Sequence, residues 1–346
     1  MPLSTLRRLP PPARPRPAVP ATSAGRRAAE RAPVRAPSRD LTYELAGPAG
    51  APLVVVLGGI SATRHVTSTA EDPAPGWWEA AVGPGRGVDT GRYRVLGVDF
   101  LDGGRAADGR PLRAVTTADQ ADALARLLDA LGVARAHAVV GASYGGMVAL
   151  AFGARHPARA ARLIVVSAAH ESHPMSTALR VLQRRVVELG LETGRAADAL
   201  ALARGIAMTT YRTPGEFAER FGGGEAGLAE VAAYLAHCGT RYAARCAPER
   251  FLALSHSLDA HRVSPEAVRV PATLVAAEGD QLVPEAQMRE LAARLGAPHT
   301  LVRLATRCGH DGFLTEPAAV GRILAAALES APADGAPCPT PNETPA

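Results

Sequence analysis

Ala138-Val139-Val140-Gly141-Ala142-Ser143-Tyr144-Gly145-Gly146-Met147-Val148-Ala149-Leu150 is the stretch on which the fold turns. It opens as a short run of small and branched apolar residues, of the kind found in strands buried on both faces. It closes as an apolar helical pattern running to residue 155. Between the two, Gly-x-Ser-x-Gly makes a turn so sharp that the flanking residues must be small, and the Ser143 hydroxyl is left standing at its tip. The helix that follows points its N-terminus at the same spot, which favours negative charge developing there. By itself such a motif is also compatible with a glycine-rich turn that merely packs.

The flanking sequence repeats the strand-then-helix rhythm. Strand-like runs occupy residues 41–45, 52–57, 93–99, 137–141, 162–167, 271–277 and 299–304, and helical patterns fall at 118–131, 144–155, 285–295 and 318–328. This alternation predicts a mostly parallel sheet flanked by helices. It breaks after residue 169, where only helical patterns such as 178–189 and 228–238 appear until about residue 270. The expected organisation is therefore an α/β-hydrolase fold with its core at 40–168 and 263–330 and a helical cap inserted at 169–262.

A serine hydroxyl needs a base, and the base needs an orienting acid, in the order Ser, Asp or Glu, His for this fold. Asp280 follows the run 271–277 and His310 follows the run 299–304, so both are expected at carboxyl ends of strands. Glu171, soon after the run 162–167, is the rival acid. The oxyanion of an acyl-transfer intermediate calls for two backbone N–H groups. Tyr144, the residue after the nucleophile, supplies one; the loop Leu57-Gly58-Gly59-Ile60-Ser61 supplies the other through Gly59 or Ile60.

Composition excludes several other classes. The 346 residues suffice for a full core and are 47% apolar. The formal charge of +5 is deceptive, because nine arginines and one acid, Glu30, fall within residues 1–39, leaving 5 − 8 = −3 for the rest. That Arg/Pro/Ala-rich segment has no aromatic residue to stack on bases, so nucleic acid is not an expected partner. It and residues 331–346 read as disordered tails. All 38 basic residues are arginine, which lowers the information carried by any one of them. The four cysteines form neither a disulfide framework nor a zinc-type pair, so no metal is expected and the cytoplasm is the default compartment. The longest uncharged stretch, 138–154, contains four glycines and is no membrane span.

Further segments carry a family resemblance: Pro75-Gly76-Trp77-Trp78; Val82-Gly83-Pro84-Gly85 with Asp89-Thr90 and Tyr93; the elbow itself; and Gly309-His310-Asp311-Gly312-Phe313-Leu314. Together they resemble the homoserine O-acyltransferases of methionine biosynthesis, across roughly residues 41–328. The resemblance implies a ping-pong transfer from a coenzyme A thioester, a co-substrate and not a resident cofactor, to L-homoserine. It implies Ser143, Asp280 and His310 as the triad, and Asp311 as the partner of the amino group. For the amino acid's carboxylate it implies an arginine on the first cap helix, Arg184 with Arg185 as the alternative. The partners implied are small molecules, and the resemblance admits a homodimer.

Acetyl-transferring members commonly carry a long Gly-Ser-Thr-Gly-Pro segment after the fourth strand and a Thr-Gly-Ser oxyanion loop. Here Phe100-Leu101-Asp102-Gly103-Gly104 and a Gly-Gly-Ile-Ser loop stand instead, which resembles the compact, succinyl-preferring branch. A succinyl group ends in a carboxylate, so a cation is expected near the oxyanion loop. Arg64, beside His65, is the candidate.

Overall fold

The structure, a computed structural model, describes residues 41–104 and 114–330; the expected tails at 1–39 and 331–346 lie outside them. In chain order the core begins with β1 (Thr42–Ala46), β2 (Leu53–Leu57), the two-residue strands β3 (Val82–Gly83) and β4 (Val88–Asp89), β5 (Arg94–Asp99) and α1 (Thr117–Ala130). It continues through β6 (Ala138–Ala142), α2 (Tyr144–Arg155) and β7 (Leu163–Val166). Five helices follow: α3 (Pro174–Glu192), α4 (Ala196–Tyr211), α5 (Pro214–Phe221), α6 (Gly224–Ala243) and α7 (Pro248–Asp259). The core then resumes with β8 (Ala272–Ala277), α8 (Glu285–Arg294), β9 (His299–Leu304), α9 (Gly312–Thr315) and α10 (Pro317–Glu329).

Seven strands form one sheet in the order β1-β5-β2-β6-β7-β8-β9, and β1 alone pairs antiparallel. The apolar runs have a simple cause. Along β2, Leu53, Val55 and Leu57 pack into a layer with α1, α2 and α8, while Val54 and Val56 pack into the opposite layer with Trp78 and α10. Both faces are dry, so no position in the strand can be polar. α1 starts on a reciprocal cap in which Thr116 accepts from the Asp119 N–H and the Asp119 carboxylate accepts from the Thr116 N–H.

Between β2 and β6 the progress of the chain across the sheet reverses, since β5 lies on one side of β2 and β6 on the other. The loops leaving the carboxyl ends of these two strands therefore diverge and open a crevice. The α3–α7 insertion, between β7 and β8, supplies one wall of that crevice. α3 and α7 are tied together around one carboxylate, Asp259, which accepts from Arg180 at 2.7 Å and from Arg184 at 2.5 Å.

Candidate active site

Ser143 sits at φ 54°, ψ −120°, a backbone conformation that L-residues rarely adopt. The surrounding structure over-determines it. The Ser143 N–H donates to the Val166 carbonyl at 2.9 Å, and the Gly145 N–H donates to the Gly58 carbonyl at 2.9 Å. A Cβ at Gly141 would lie 2.2 Å from the Gly145 carbonyl oxygen, and one at Gly145 would lie 2.2 Å from that of Leu57. The glycines are thus required by close approach of backbone on both sides of the serine.

A chain of hydrogen bonds runs inward from this serine. Ser143 Oγ is 2.8 Å from His310 Nε2, and His310 Nδ1 is 2.8 Å from Asp280 Oδ2. An ionised carboxylate can only accept, so the Nδ1 proton is on the ring and Nε2 is left to accept the serine hydroxyl. The second oxygen of Asp280 accepts the Leu282 and Val283 N–H groups, each at 2.9 Å, which fixes the carboxylate. Glu171 is not the carboxylate on His310: it pairs with Arg262 at 3.4 Å. Burial pushes the His310 imidazole down, but the charge and hydrogen bond of Asp280 outweigh it, with Asp311 adding, so its pKa stands above the ordinary 6.5. The charge of Arg180 pulls the other way.

The His310 ring is packed from the far side as well. Trp78 Nε1 donates to the Phe313 carbonyl at 3.0 Å, Phe313 meets the Trp78 ring edge-on, and the His310 ring meets Phe313 in the same way. Tyr144 is fully buried with its hydroxyl 2.7 Å from Ser257 on α7, joining the elbow helix to the insertion. Burial raises its pKa to about 12, so it stays a neutral phenol.

The cavity over Ser143 is lined by Gly59 and Ile60 from the β2 loop, by Ser143, His310 and Asp311 from the core, and by Arg180, Arg204 and Tyr211 from the insertion. Gly59 lies directly against the serine, where a Cβ would be 3.8 Å from that of Ser143. Asp311 Oδ2 accepts from Arg212 Nε at 2.9 Å.

Two expectations from sequence are corrected here. Arg184 does not line the cavity: it is buried one turn further along α3, bonded to Ser255 and Asp259. Its alternative Arg185 is exposed and pairs with Glu188 and Glu192. The face of α3 that meets the cavity runs through Ser176, Leu179, Arg180 and Gln183, so helical phase puts Arg180 at the wall. Nor does Arg64 reach it. Its backbone N–H and guanidinium are both claimed by Asp99, at 2.9 and 2.5 Å, on the β1–β5 side of the sheet. His65 is held between Glu44 and the Ala74 carbonyl. The cation beside the oxyanion loop is instead Arg204 of α4, with Nη1 3.3 Å from Ser61 Oγ. Sequence reading missed Arg180, Arg204 and Arg212 alike.

Among the described residues no helix is long and apolar enough to cross a membrane, and no group of three or more His, Cys, Asp or Glu side chains is arranged to hold a metal ion.

Residues 52–317 match the family model described as alpha/beta hydrolase fold. The chain is 48% identical to a homoserine O-succinyltransferase of Xanthomonas campestris pv. campestris, over 84% of this chain and 79% of that one. It is 36% identical to an L-serine/homoserine O-acetyltransferase of Streptomyces lavendulae, over 76% and 83% respectively. A crystal structure of homoserine O-acetyltransferase from Bacillus anthracis superposes with a TM-score of 0.75 at 18% identity, covering 84% of this chain and 92% of that one, which shows the shared fold. The chain belongs to the α/β-hydrolase fold family and, within it, to the homoserine O-acyltransferases.

Proposed function

We propose that this enzyme transfers a succinyl group from succinyl-CoA to the hydroxyl of L-homoserine, through a succinyl ester on Ser143. The observation that carries the reading is the likeness, over most of both chains, to a protein named homoserine O-succinyltransferase. The geometry is consistent with it at each step.

Ser143 Oγ attacks the thioester carbonyl as its proton passes to His310 Nε2, 2.8 Å away. The resulting oxyanion is held by the N–H of Tyr144 and by that of Gly59 or Ile60. Collapse breaks the C–S bond, and the departing thiolate takes the proton from His310. The homoserine hydroxyl then gives its proton to the same Nε2 and attacks the ester, and Ser143 leaves with that proton. Asp280 stabilises the imidazolium formed in each half-reaction, which is the direction in which it already displaces the pKa of His310.

Two charges of opposite sign flank the base, Arg180 and Asp311, and an amino acid carries the complementary pair. We assign the homoserine carboxylate to Arg180 and its ammonium to Asp311. Holding the acceptor beside the ester favours it over water. Arg204, beside the oxyanion loop, takes the distal carboxylate of the succinyl group. The acyl donor is bound and released and is no resident cofactor, and we place the reaction in the cytoplasm.

The test is release of coenzyme A from succinyl-CoA and acetyl-CoA, each with homoserine, serine or no amino acid. Succinyl-CoA with homoserine is expected to be fastest, and Ser143→Ala to abolish release. Equal rates with and without amino acid would replace the reading by a thioester hydrolase.

A further inference from the structure

The ladder between β8 and β9 stops short of both the acid and the base. The two strands pair from Ala272 with His299 to Ala277 with Leu304, and the Glu278 N–H makes the last rung on the Leu304 carbonyl at 2.9 Å. Asp280 and His310 lie beyond it, on loops that turn through left-handed glycines, Gly279 at φ 69° and Gly309 at φ 60°. The loops meet at these glycines, since a Cβ on Gly309 would be 3.0 Å from the Gly279 carbonyl oxygen. Glycine lets each loop turn but does little to hold it, so the spacing of acid and base depends on what is packed against the pair.

Packed against them is the break between α4 and α5, where Tyr211, Arg212 and Thr213 follow one another. The Thr213 methyl sits on both glycines, 2.9 Å from the place of a Cβ on Gly279 and 3.2 Å from that of one on Gly309. Thr213 Oγ1 donates to the Arg307 carbonyl in the base loop at 2.6 Å and accepts the Glu216 N–H at 3.1 Å as the cap of α5. In the acid loop, Gln281 Nε2 donates to the Arg212 carbonyl at 2.8 Å. The Arg212 guanidinium reaches Asp311 at 2.9 Å and Cys308 Sγ at 3.4 Å, and the Tyr211 ring centre is 5.8 Å from that of His310. Capping α5 requires only the bond to Glu216. The bonds to Arg307 and Gln281 serve the two loops instead.

We propose that Thr213 is a positioning residue for the acid–base pair: seated on both glycines and bonded through its hydroxyl to Arg307, it clamps the base loop against the acid loop. The proposal rests on the reading of Ser143, Asp280 and His310 as the catalytic chain. It gives the insertion a part in proton transfer besides its part in the cavity wall. The imidazolium formed in each half-reaction is stabilised while Asp280 stays 2.8 Å from Nδ1, and that spacing is kept by a residue outside the core.

The experiment compares Thr213→Val, which keeps the methyl and loses the hydroxyl, with Thr213→Ser, which keeps the hydroxyl. Acylation by a small neutral ester is followed against pH, beside a thermal melt of each protein. Thr213→Val is expected to lower the plateau kcat/KM by about 10-fold to 100-fold, the loss that follows a displacement of about 1 Å in a catalytic geometry. Asp280 and Asp311 raise the pKa of His310 and Arg180 lowers it, so a loosened Asp280 contact moves the acid limb to lower pH. Thr213→Ser should restore the limb and most of the rate. Loss of the α5 cap alone lowers the melting temperature and leaves the limb in place. An acid limb of Thr213→Val that stays or moves to higher pH therefore overturns the proposal, as does a Thr213→Ser variant equally impaired. Should Thr213→Val not fold, Gln281→Ala, which removes the other tie from an exposed side chain that caps no helix, is read by the same limb and rate. No reaction between the ester and the wild-type enzyme would instead remove the reading of the catalytic chain, and the proposal with it.

Discussion

The guanidinium of Arg204 lies 4.9 Å from the ring centre of Tyr211 and 5.0 Å from that of Tyr242, with Nη1 3.3 Å from Ser61 Oγ in the oxyanion loop. It is a cation held between two aromatic faces, lining the cavity over Ser143, with no ion-pair partner among the described residues. Such a group can read a charge on the acyl chain. Arg204→Ala is expected to lower kcat/KM for succinyl-CoA by about 10-fold to 100-fold, as for a lost charge-assisted hydrogen bond, and to leave acetyl-CoA nearly unaffected. Equal losses for the two donors in steady-state assays would assign Arg204 to a part of the donor common to both.

Arg180 and Arg184 share one carboxylate, Asp259, yet Arg180 alone lines the cavity. Arg180→Ala should raise KM for homoserine by at least about 10-fold, the effect of losing a charged hydrogen bond to substrate. Arg184→Ala should instead lower the melting temperature and leave KM almost unchanged, because it removes a buried partner of Asp259 and Ser255. Homoserine saturation curves and thermal melts on the same two proteins decide this; a larger KM effect at Arg184 would reverse the assignment.

His310 must be neutral to take the proton of Ser143, so the rate falls as pH drops through its pKa. That pKa stands above 6.5, because Asp280 and Asp311 together outweigh burial, and Arg180 opposes them. Asp311→Asn removes a charge that raises it, and the acid limb should move to lower pH. Arg180→Ala removes a charge that lowers it, and the limb should move to higher pH. Profiles of kcat/KM for acylation by a small neutral ester report the free enzyme and avoid any need for homoserine. Movement of both variants in one direction would contradict the electrostatic picture.

Gly145 meets the Leu57 carbonyl so closely that an added methyl would stand 2.2 Å from it. Gly145→Ala must push β2 and the elbow apart, at a cost of about 1–3 kcal/mol or more, as for overpacking of a core. Denaturant unfolding should show the loss, together with activity far below what the loss of folded protein explains. A variant of wild-type stability would mean that the elbow is looser than the packing requires.

The sheet, the elbow and the chain of hydrogen bonds from Ser143 to Asp280 were legible in the sequence because each depends on local rules. A strand buried on both faces must be apolar throughout, a turn pressed between backbones must carry glycine, and residues at the carboxyl ends of strands converge. The insertion was legible only as helix. Which arginine of α3 faces the cavity depends on how that helix docks against α7, and Arg180 and Arg184 occupy the same stripe one turn apart. Gln183-Arg184-Arg185, the stretch of the first cap helix that the resemblance singles out, lies one turn beyond Arg180, the arginine that meets the cavity. With 38 arginines and no lysine in the chain, no arginine stood out by its rarity. Arg64 stands near the oxyanion loop in sequence, but Asp99 on the neighbouring strand captures it. The sequence does carry a signal for Arg212: Tyr211-Arg212-Thr213-Pro214 marks the break between α4 and α5, where a side chain is free to turn inward.

The hydrogen bond from Trp78 to the Phe313 carbonyl spans 235 positions of sequence. It makes the tryptophan loop and the loop of the base a single mechanical part, although one belongs to the first third of the chain and the other to its end. A chimera that drew these two loops from different parents would join an indole to a carbonyl that had not been shaped for it. The tilt so introduced would travel through the Phe313 ring to His310. Recombination among such enzymes is therefore constrained to exchange the two loops together or to leave both in place.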